Sequence, residues 1–552
     1  MRFVCSSPIQ PPGRRRLAVR VPTLILIGAS AVLIGSAQNA SSDVGKQWFA
    51  HVQYLADDRL EGRLTGTEGY RKAAQYVADH FKEYGLEPGG TQGYFQPVKF
   101  DVQHVVASES KLALHDGTSD TPIHLGESAI LGSRLPQRKD VSAPLVFVGY
   151  GLHIPEAHYD DFAGVDVRGK IIVYINGGPA NIPGALKASA RSPQEFVSFV
   201  EKAGAVGTIT IPNPKSMDIP WDRVKLAASQ AGMRLADLNL QDSHRALFTA
   251  QWNPAHADEL LAGSGHRIAD LLAIADAGKP MPHFNLKPTL KATVVTKNEQ
   301  VESRNVAGIL RGSDPKLKNQ YVVYSAHLDH VGVGEPIKGD KIYNGAMDNA
   351  SGIASMLDVA EELGKSGVKL KRSVLFLAVC AEEKGLLGSR YFPQKPTVPK
   401  NSIVADLNTD MFLPIFPLNY LVVYGADEST LGEDIKAAAA PLDVRVIPDR
   451  APDRNIFIRS DQYNFIRAGV PSIRPEFGAT ANSPEDKAEA EWLKNRYHAP
   501  SDDAQQPIDL AAAAKFDKLM LQLLERVANA SGKPQWKPDS YFRRFAQRRA
   551  SE

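Results

Sequence analysis

Cysteine is nearly absent from this 552-residue chain: there are two, Cys5 and Cys380. Cys5 falls within an N-terminal segment with leader character, which leaves Cys380 alone and excludes an intramolecular disulfide framework. Cys380 closes the apolar run SVLFLAV and reads as a small buried hydrophobe. Net charge is also lacking, with 64 basic against 62 acidic side chains. No face of the composition asks for nucleic acid or an anionic membrane. Long hydrophobic runs are missing as well. The most apolar stretch, VPTLILIGASAVLIG, is shorter than the roughly 20 residues a bilayer span needs. It follows GRRRLAVR and precedes GSAQNA, the order of a secretory leader over residues 1–37, with a retained N-terminal anchor as the alternative. Removing that leader takes five arginines and no acid, leaving 59 basic and 62 acidic residues.

What is present is a soluble-protein composition, 43% hydrophobic and 23% charged, in a chain too long for one ordinary core. Residues 43–101 show helical apolar spacing, in GKQWFAHVQYLADDRLEG and in TEGYRKAAQYVADHFKEYGLEPGG. From 102 to 296 short strand-like runs dominate (APLVFVGYGL, GKIIVYINGG, AVGTITIP), and this block reads as a separate β-rich module. Beyond 297 apolar strands alternate with helices to about residue 530, predicting an α/β fold whose mostly parallel sheet is covered by helices on both faces. The basic tail, 531–552, reads as a solvated terminus.

In such sheets ligands bind beyond the carboxyl ends of the strands, and there the acids and histidines collect. His327 and Asp329 follow one strand in SAHLDHVGVG; Asp348 lies in NGAMDNASG; Glu382 and Glu383 follow another strand in CAEEKGLLGS. Asp410 ends VADLNTD, and His498 sits in NRYHAPSDD. Two imidazoles with several carboxylates form a nitrogen–oxygen donor set suited to zinc. Adjacent Glu382 and Glu383 point opposite ways in an extended segment, so one can hold a metal while the other faces substrate as general base. Asp329, two residues past His327, is placed to hold its tautomer. Each residue also has a plain reading: Asp348 as a helix cap, the Glu pair as surface charge.

Taken together and in this order, AHLDHVGVG, NGAMDNASG, CAEEKGLLGS, NTDM and YHAPSDD resemble the co-catalytic zinc exopeptidases of peptidase family M28. The resemblance covers about residues 43–101 and 297–530. It implies two Zn²⁺ per chain, one on His327 and Asp410, the other on Glu383 and His498, with Asp348 bridging. It makes Glu382 the general acid/base and Asp329 the group that orients His327. Tyr497 matches a tyrosine that stabilises the oxyanion in some relatives. His330 matches no ligand position and reads as loop. Residues 102–296 resemble an inserted protease-associated domain. The implied function is an exported aminopeptidase acting on peptides. The alternatives are a glutamate-carboxypeptidase type with a basic pocket, for which Arg454, Arg459 and Arg474 are candidates, and a non-catalytic, receptor-like relative. Spacing says nothing about oligomeric state.

Overall fold

The computed structural model describes residues 44–454 and 456–551; the leader expected over 1–37 lies outside them. Near-continuous apolar runs build the centre of the larger of two sheets. Ser373–Val379, Tyr321–His327, Ile403–Asn408 and Ser472–Gly478 lie side by side and parallel. Every residue of the first three is buried, as strands covered on both faces must be. Helices Ser351–Ser366 and Leu387–Gln394 make the crossovers that parallel neighbours require.

Antiparallel strands flank this centre. Thr296–Leu310, Phe95–Val105 and Gly232–Leu235 extend one side. On the other, Tyr420–Tyr424 runs antiparallel to Ser472–Gly478 and carries Arg445–Ile447 parallel to itself. The sheet is thus parallel at its centre and antiparallel at its margins.

Two amphipathic helices seal one face. Thr67 caps Glu68–Glu83 by accepting from the Tyr70 amide, and the helix buries Tyr70, Ala73, Ala74, Val77 and Phe81. Asp509 caps Leu510–Asn529 in the same way through the Ala512 amide. Phe516 of that helix stacks on Phe412 with centroids 4.0 Å apart. Its removal would cost about 3–5 kcal/mol.

A second, eight-stranded sheet lies between Lys111 and Thr293, ordered Asp120–Pro122, Lys111–His115, Phe284–Thr293, Asp140–Phe147, Ile171–Ile175, Gly207–Ile211, Phe248–Trp252 and Ala129–Leu131. The limits expected at 102 and 296 fall on the large sheet instead. Phe95–Val105 pairs with Thr296–Leu310 from Val306↔Phe95 to Thr296↔Val105. The polar run KNEQVESRN is the largely exposed half of this ribbon. Gly232–Leu235 also leaves the block to pair with Phe100–Gln103.

The C-terminal tail is not the solvated end its charge suggests. Phe542 and Phe545 are buried against Phe457, Tyr463 and Ile466, and Arg544 pairs with Glu156 at 2.6 Å. Aromatic residues at 541, 542 and 545 give the segment an apolar face that outweighs its arginines. Among the described residues no helix is long and apolar enough to cross a membrane.

Candidate metal centre

Three of the parallel strands end by delivering a polar side chain to the same rim. His327 is the last residue of Tyr321–His327, and Asp410 stands two past Ile403–Asn408. Glu382 and Glu383 follow Ser373–Val379, and Asp348 precedes helix Ser351–Ser366. His498 comes from the loop after helix Pro484–Asn495. Non-glycine residues in the left-handed region mark these turns: Ala381 (φ +56°), Met411 (φ +50°) and His498 (φ +52°). Such backbone is held at a cost and collects at functional sites.

Asp348 is the hub. One carboxylate oxygen lies 3.3 Å from His327 Nε2, and the other 3.2 Å from His498 Nε2. It does not cap the helix that follows. His327 Nε2 is also 3.3 Å from Asp410, and His498 Nε2 is 3.1 Å from Glu383. Two groups of potential ligand atoms result, His327–Asp348–Asp410 and His330–Asp348–Glu383, sharing Asp348.

The electrostatics are those of a site that wants positive charge. Against the opposing effect of burial, Glu382 and Asp410 raise the His327 imidazole well above its ordinary range, and Glu383 does the same for His498. Again against burial, His498 and His330 hold Glu383 well below the usual carboxylate range. Glu382 lacks such a partner: burial, with Glu383 and Asp410 beside it, pushes its carboxyl well up despite His327.

Asp329 differs from expectation. His327 Nδ1 meets the main-chain carbonyl of Asp329 at 3.0 Å, not its carboxylate. The carboxylate instead accepts from the Glu382 and Glu383 amides at 3.1 and 3.4 Å. It therefore fixes the Glu–Glu turn, and the imidazole is oriented by backbone.

Three residues went unread in sequence. His330, taken as loop, is fully buried with Nδ1 2.8 Å from Glu383 Oε1 and 3.8 Å from Asp348. Its neighbour Gly345 (φ +65°) leaves no room for a side chain, since a Cβ there would lie 2.5 Å from the His330 ring. Asp502 accepts from the Met347 and Asp348 amides at 2.9 and 3.0 Å. Arg63, also fully buried, donates to the carbonyls of Leu55, Leu328, Asn344 and Gly345. Of these, only the second histidine of HLDH offered a signal.

The cleft above the cluster, about 50 Å³, is walled by Tyr497, Glu476, Glu489, Arg454, Arg459 and Arg474, with Asp218 reaching in from the second-sheet block. Asp218 pairs with Arg454 at 2.7 Å and Arg459 at 2.6 Å. Arg459 in turn donates to the Tyr497 hydroxyl at 3.2 Å. Arg474 is occupied by Glu476 at 2.9 Å and the Asp410 carbonyl at 2.7 Å.

The sequence pattern of peptidase family M28 matches residues 305–524. A probable leucine aminopeptidase 2 of Aspergillus fumigatus is 33% identical over 235 residues, 39% of this chain and 43% of that protein. Carboxypeptidase Q of Bos taurus is 22% identical over 398 residues, 71% of this chain and 70% of that one. The chain spans about two-fifths of the length of the first curated relatives it matches. Among solved structures, the aminopeptidase from Aneurinibacillus sp. strain AM-1 superposes with a TM-score of 0.52 at 20% identity, over 90% of this chain and 97% of that one, a likeness of fold.

Proposed function

We propose that this chain, whose residues 305–524 match the sequence pattern of peptidase family M28, is an exported dinuclear zinc exopeptidase that releases N-terminal residues from peptides. The observation that carries this reading is the pair of buried donor groups sharing Asp348, with Glu382 beside them and no ligand role of its own. The residues fit the ions. The carboxylates of Asp348, Glu383 and Asp410 converge on the imidazoles of His327, His330 and His498 at 2.8–3.8 Å, and they draw protons onto His327 and His498 in place of metal charge. His327 and Asp410 would hold one Zn²⁺, Glu383 and His498 the other, and Asp348 both.

Bound zinc supplies a polarised carbonyl and a water made nucleophilic near neutral pH. Glu382, its carboxyl raised by burial and by neighbouring acids, takes the proton of the attacking water and returns it to the leaving amine. Tyr497 accepts a hydrogen bond from Arg459, which leaves its own proton free to donate to the developing oxyanion. Asp329 holds the turn that aims Glu382.

The cleft favours an amine over a carboxylate at the substrate's end. Arg454 and Arg459 are engaged by Asp218, and Arg474 by Glu476 and Asp410. Glu489 is held only loosely, 3.8 Å from Arg450 and from Arg454, and burial with Glu476 nearby pushes its carboxyl to about 7 despite both arginines. An α-ammonium group suits such a wall. The carboxypeptidase reading rests on the same three arginines and on the long, low-identity match to carboxypeptidase Q. The leader over 1–37 supports export to the periplasm or beyond, and the block centred on the second sheet is read as a protease-associated domain that shapes access.

Metal analysis of the purified protein, with hydrolysis of leucine, arginine and glutamate anilides beside an N-blocked peptide, tests the proposal. It predicts about two zinc ions per chain and cleavage only where the amine is free. Cleavage of the blocked peptide alone would establish the carboxypeptidase, and neither metal nor turnover would leave a binding protein.

A further inference from the structure

Outside the metal cleft, buried positive charge is most concentrated where the second-sheet block meets the large sheet. A cavity of about 310 Å³ opens there, at the lower end of the range for small-molecule sites. Arg234 lines the cavity together with its strand neighbours Met233 and Leu235, which also pack into the peptidase core.

The Nε and Nη1 atoms of Arg234 are buried and have no hydrogen-bond partner. Asp101, whose charge it feels, engages Gln241 and Gln300 instead, at 3.4 and 2.8 Å. Arg191, lying over the Tyr174 ring at 4.0 Å, also leaves Nη1 unpartnered. Lys384, immediately after Glu383, is 6% exposed and meets only the neutral Gln230 at 3.2 Å. The one acid in the wall, Asp242, is bound by Arg390.

Burial acts against the charge of Arg234 and Arg191. Buried N–H groups of a cation left without a hydrogen-bond partner are costly. Unpartnered guanidinium N–H groups favour a carboxylate oxygen, which accepts a charge-assisted hydrogen bond from each N–H it reaches. The remaining wall is largely apolar, including Phe196, Val200, Leu240 and Leu247.

We propose that this cavity binds a small apolar carboxylic acid, its carboxylate on Arg234 and its body against the Phe196–Leu240 wall. The site is separate from the metal cluster and its occupancy does not depend on the peptidase reading. It borders the Glu382–Glu383 turn through Arg134, whose Nη2 donates to the Glu383 carbonyl at 3.1 Å.

Calorimetric titration of the intact metal-loaded protein with N-acetyl-leucine tests this, with N-acetyl-leucinamide as the uncharged match. The acid is expected to bind at least tenfold more tightly than the amide, and Arg234→Gln to weaken the acid at least tenfold. Leu240→Phe, which fills the cavity without altering its charge, should weaken it as well, and thermal melts of both variants confirm folding. If acetyl-glycyl-glycyl-leucine binds equally, the site takes peptide C-termini; if N-acetyl-leucine alone binds, it takes free acids. Equal binding of acid and amide, acid binding that survives Arg234→Gln in folded protein, or no heat with any ligand would each overturn the proposal.

Discussion

Replacing Asp218 by alanine removes the one carboxylate that holds two arginines at the mouth of the metal cleft. The two charge-assisted bonds, 2.7 Å to Arg454 and 2.6 Å to Arg459, are each worth about 1.5–3 kcal/mol when buried. The arginine side chains are 19% and 36% exposed, so water recovers roughly half of that, leaving about 2 kcal/mol. Arg459 steadies the Tyr497 hydroxyl, so the loss should appear in transition-state stabilisation as a fall of about 30-fold in kcat/KM for leucine anilide. Zinc content should not change, because Asp218 belongs to neither donor group. Freed arginines should also raise cleavage of N-blocked peptides with a free carboxylate relative to the parent. Steady-state kinetics on both substrates, with metal analysis of the same sample, reads all three. A kcat/KM within twofold of the parent, or loss of zinc, would refute the reasoning.

His330→Ala should leave one zinc tightly held and weaken the other about 10–100-fold in competition with a chelator, since it removes the nitrogen beside Glu383; unchanged retention of both ions would return His330 to the loop. Arg63→Ala strands four buried carbonyls and should lower unfolding free energy by more than about 4 kcal/mol in urea, with Arg63→Lys rescuing little. Asp358→Asn probes a buried carboxyl raised to about 9 by burial and by Asp517. A folded-state value above the unfolded one means that stability from the protonated form is complete below about pH 4 and lost as pH rises toward 9. The variant should therefore gain about 1.4 kcal/mol for each pH unit above 4, roughly 5 kcal/mol at pH 8, and nothing below pH 4, in denaturant melts at the two values; a gain independent of pH would discount the titration.

The rim of the sheet was readable in sequence because the same physics writes it twice. A strand buried on both faces is largely apolar, so the polar residues at or just past its end, His327, Glu382 and Asp410, stand out and sit where the chain leaves the core. Residues that act through backbone are invisible to that logic. Arg63 looks like a surface charge in DRLEGR and is fully buried under the metal loops. Asp329 carries the expected residue type, but its carboxylate and its carbonyl divide the work differently from a side-chain reading. Charge misled at the C-terminus, where the basic tail docks because three aromatics outweigh its arginines.

What distinguishes one exopeptidase from another is not in the metal loops at all. The donor residues set where a carbonyl is attacked; the cleft wall sets which end of a peptide can reach it. Part of that wall comes from residues far away in sequence. Asp218 neutralises Arg454 and Arg459 across more than two hundred residues, and Arg223 donates to the Lys494 carbonyl at 2.7 Å and to that of Tyr497. Both belong to the stretch between the two long ribbon strands, which contributes no metal ligand. A change confined to that stretch, one aspartate, is therefore enough to alter the charge presented to the substrate while every ligand stays in place. Selectivity between a free amine and a free carboxylate should track Asp218 and its two arginines, and it should do so at constant zinc.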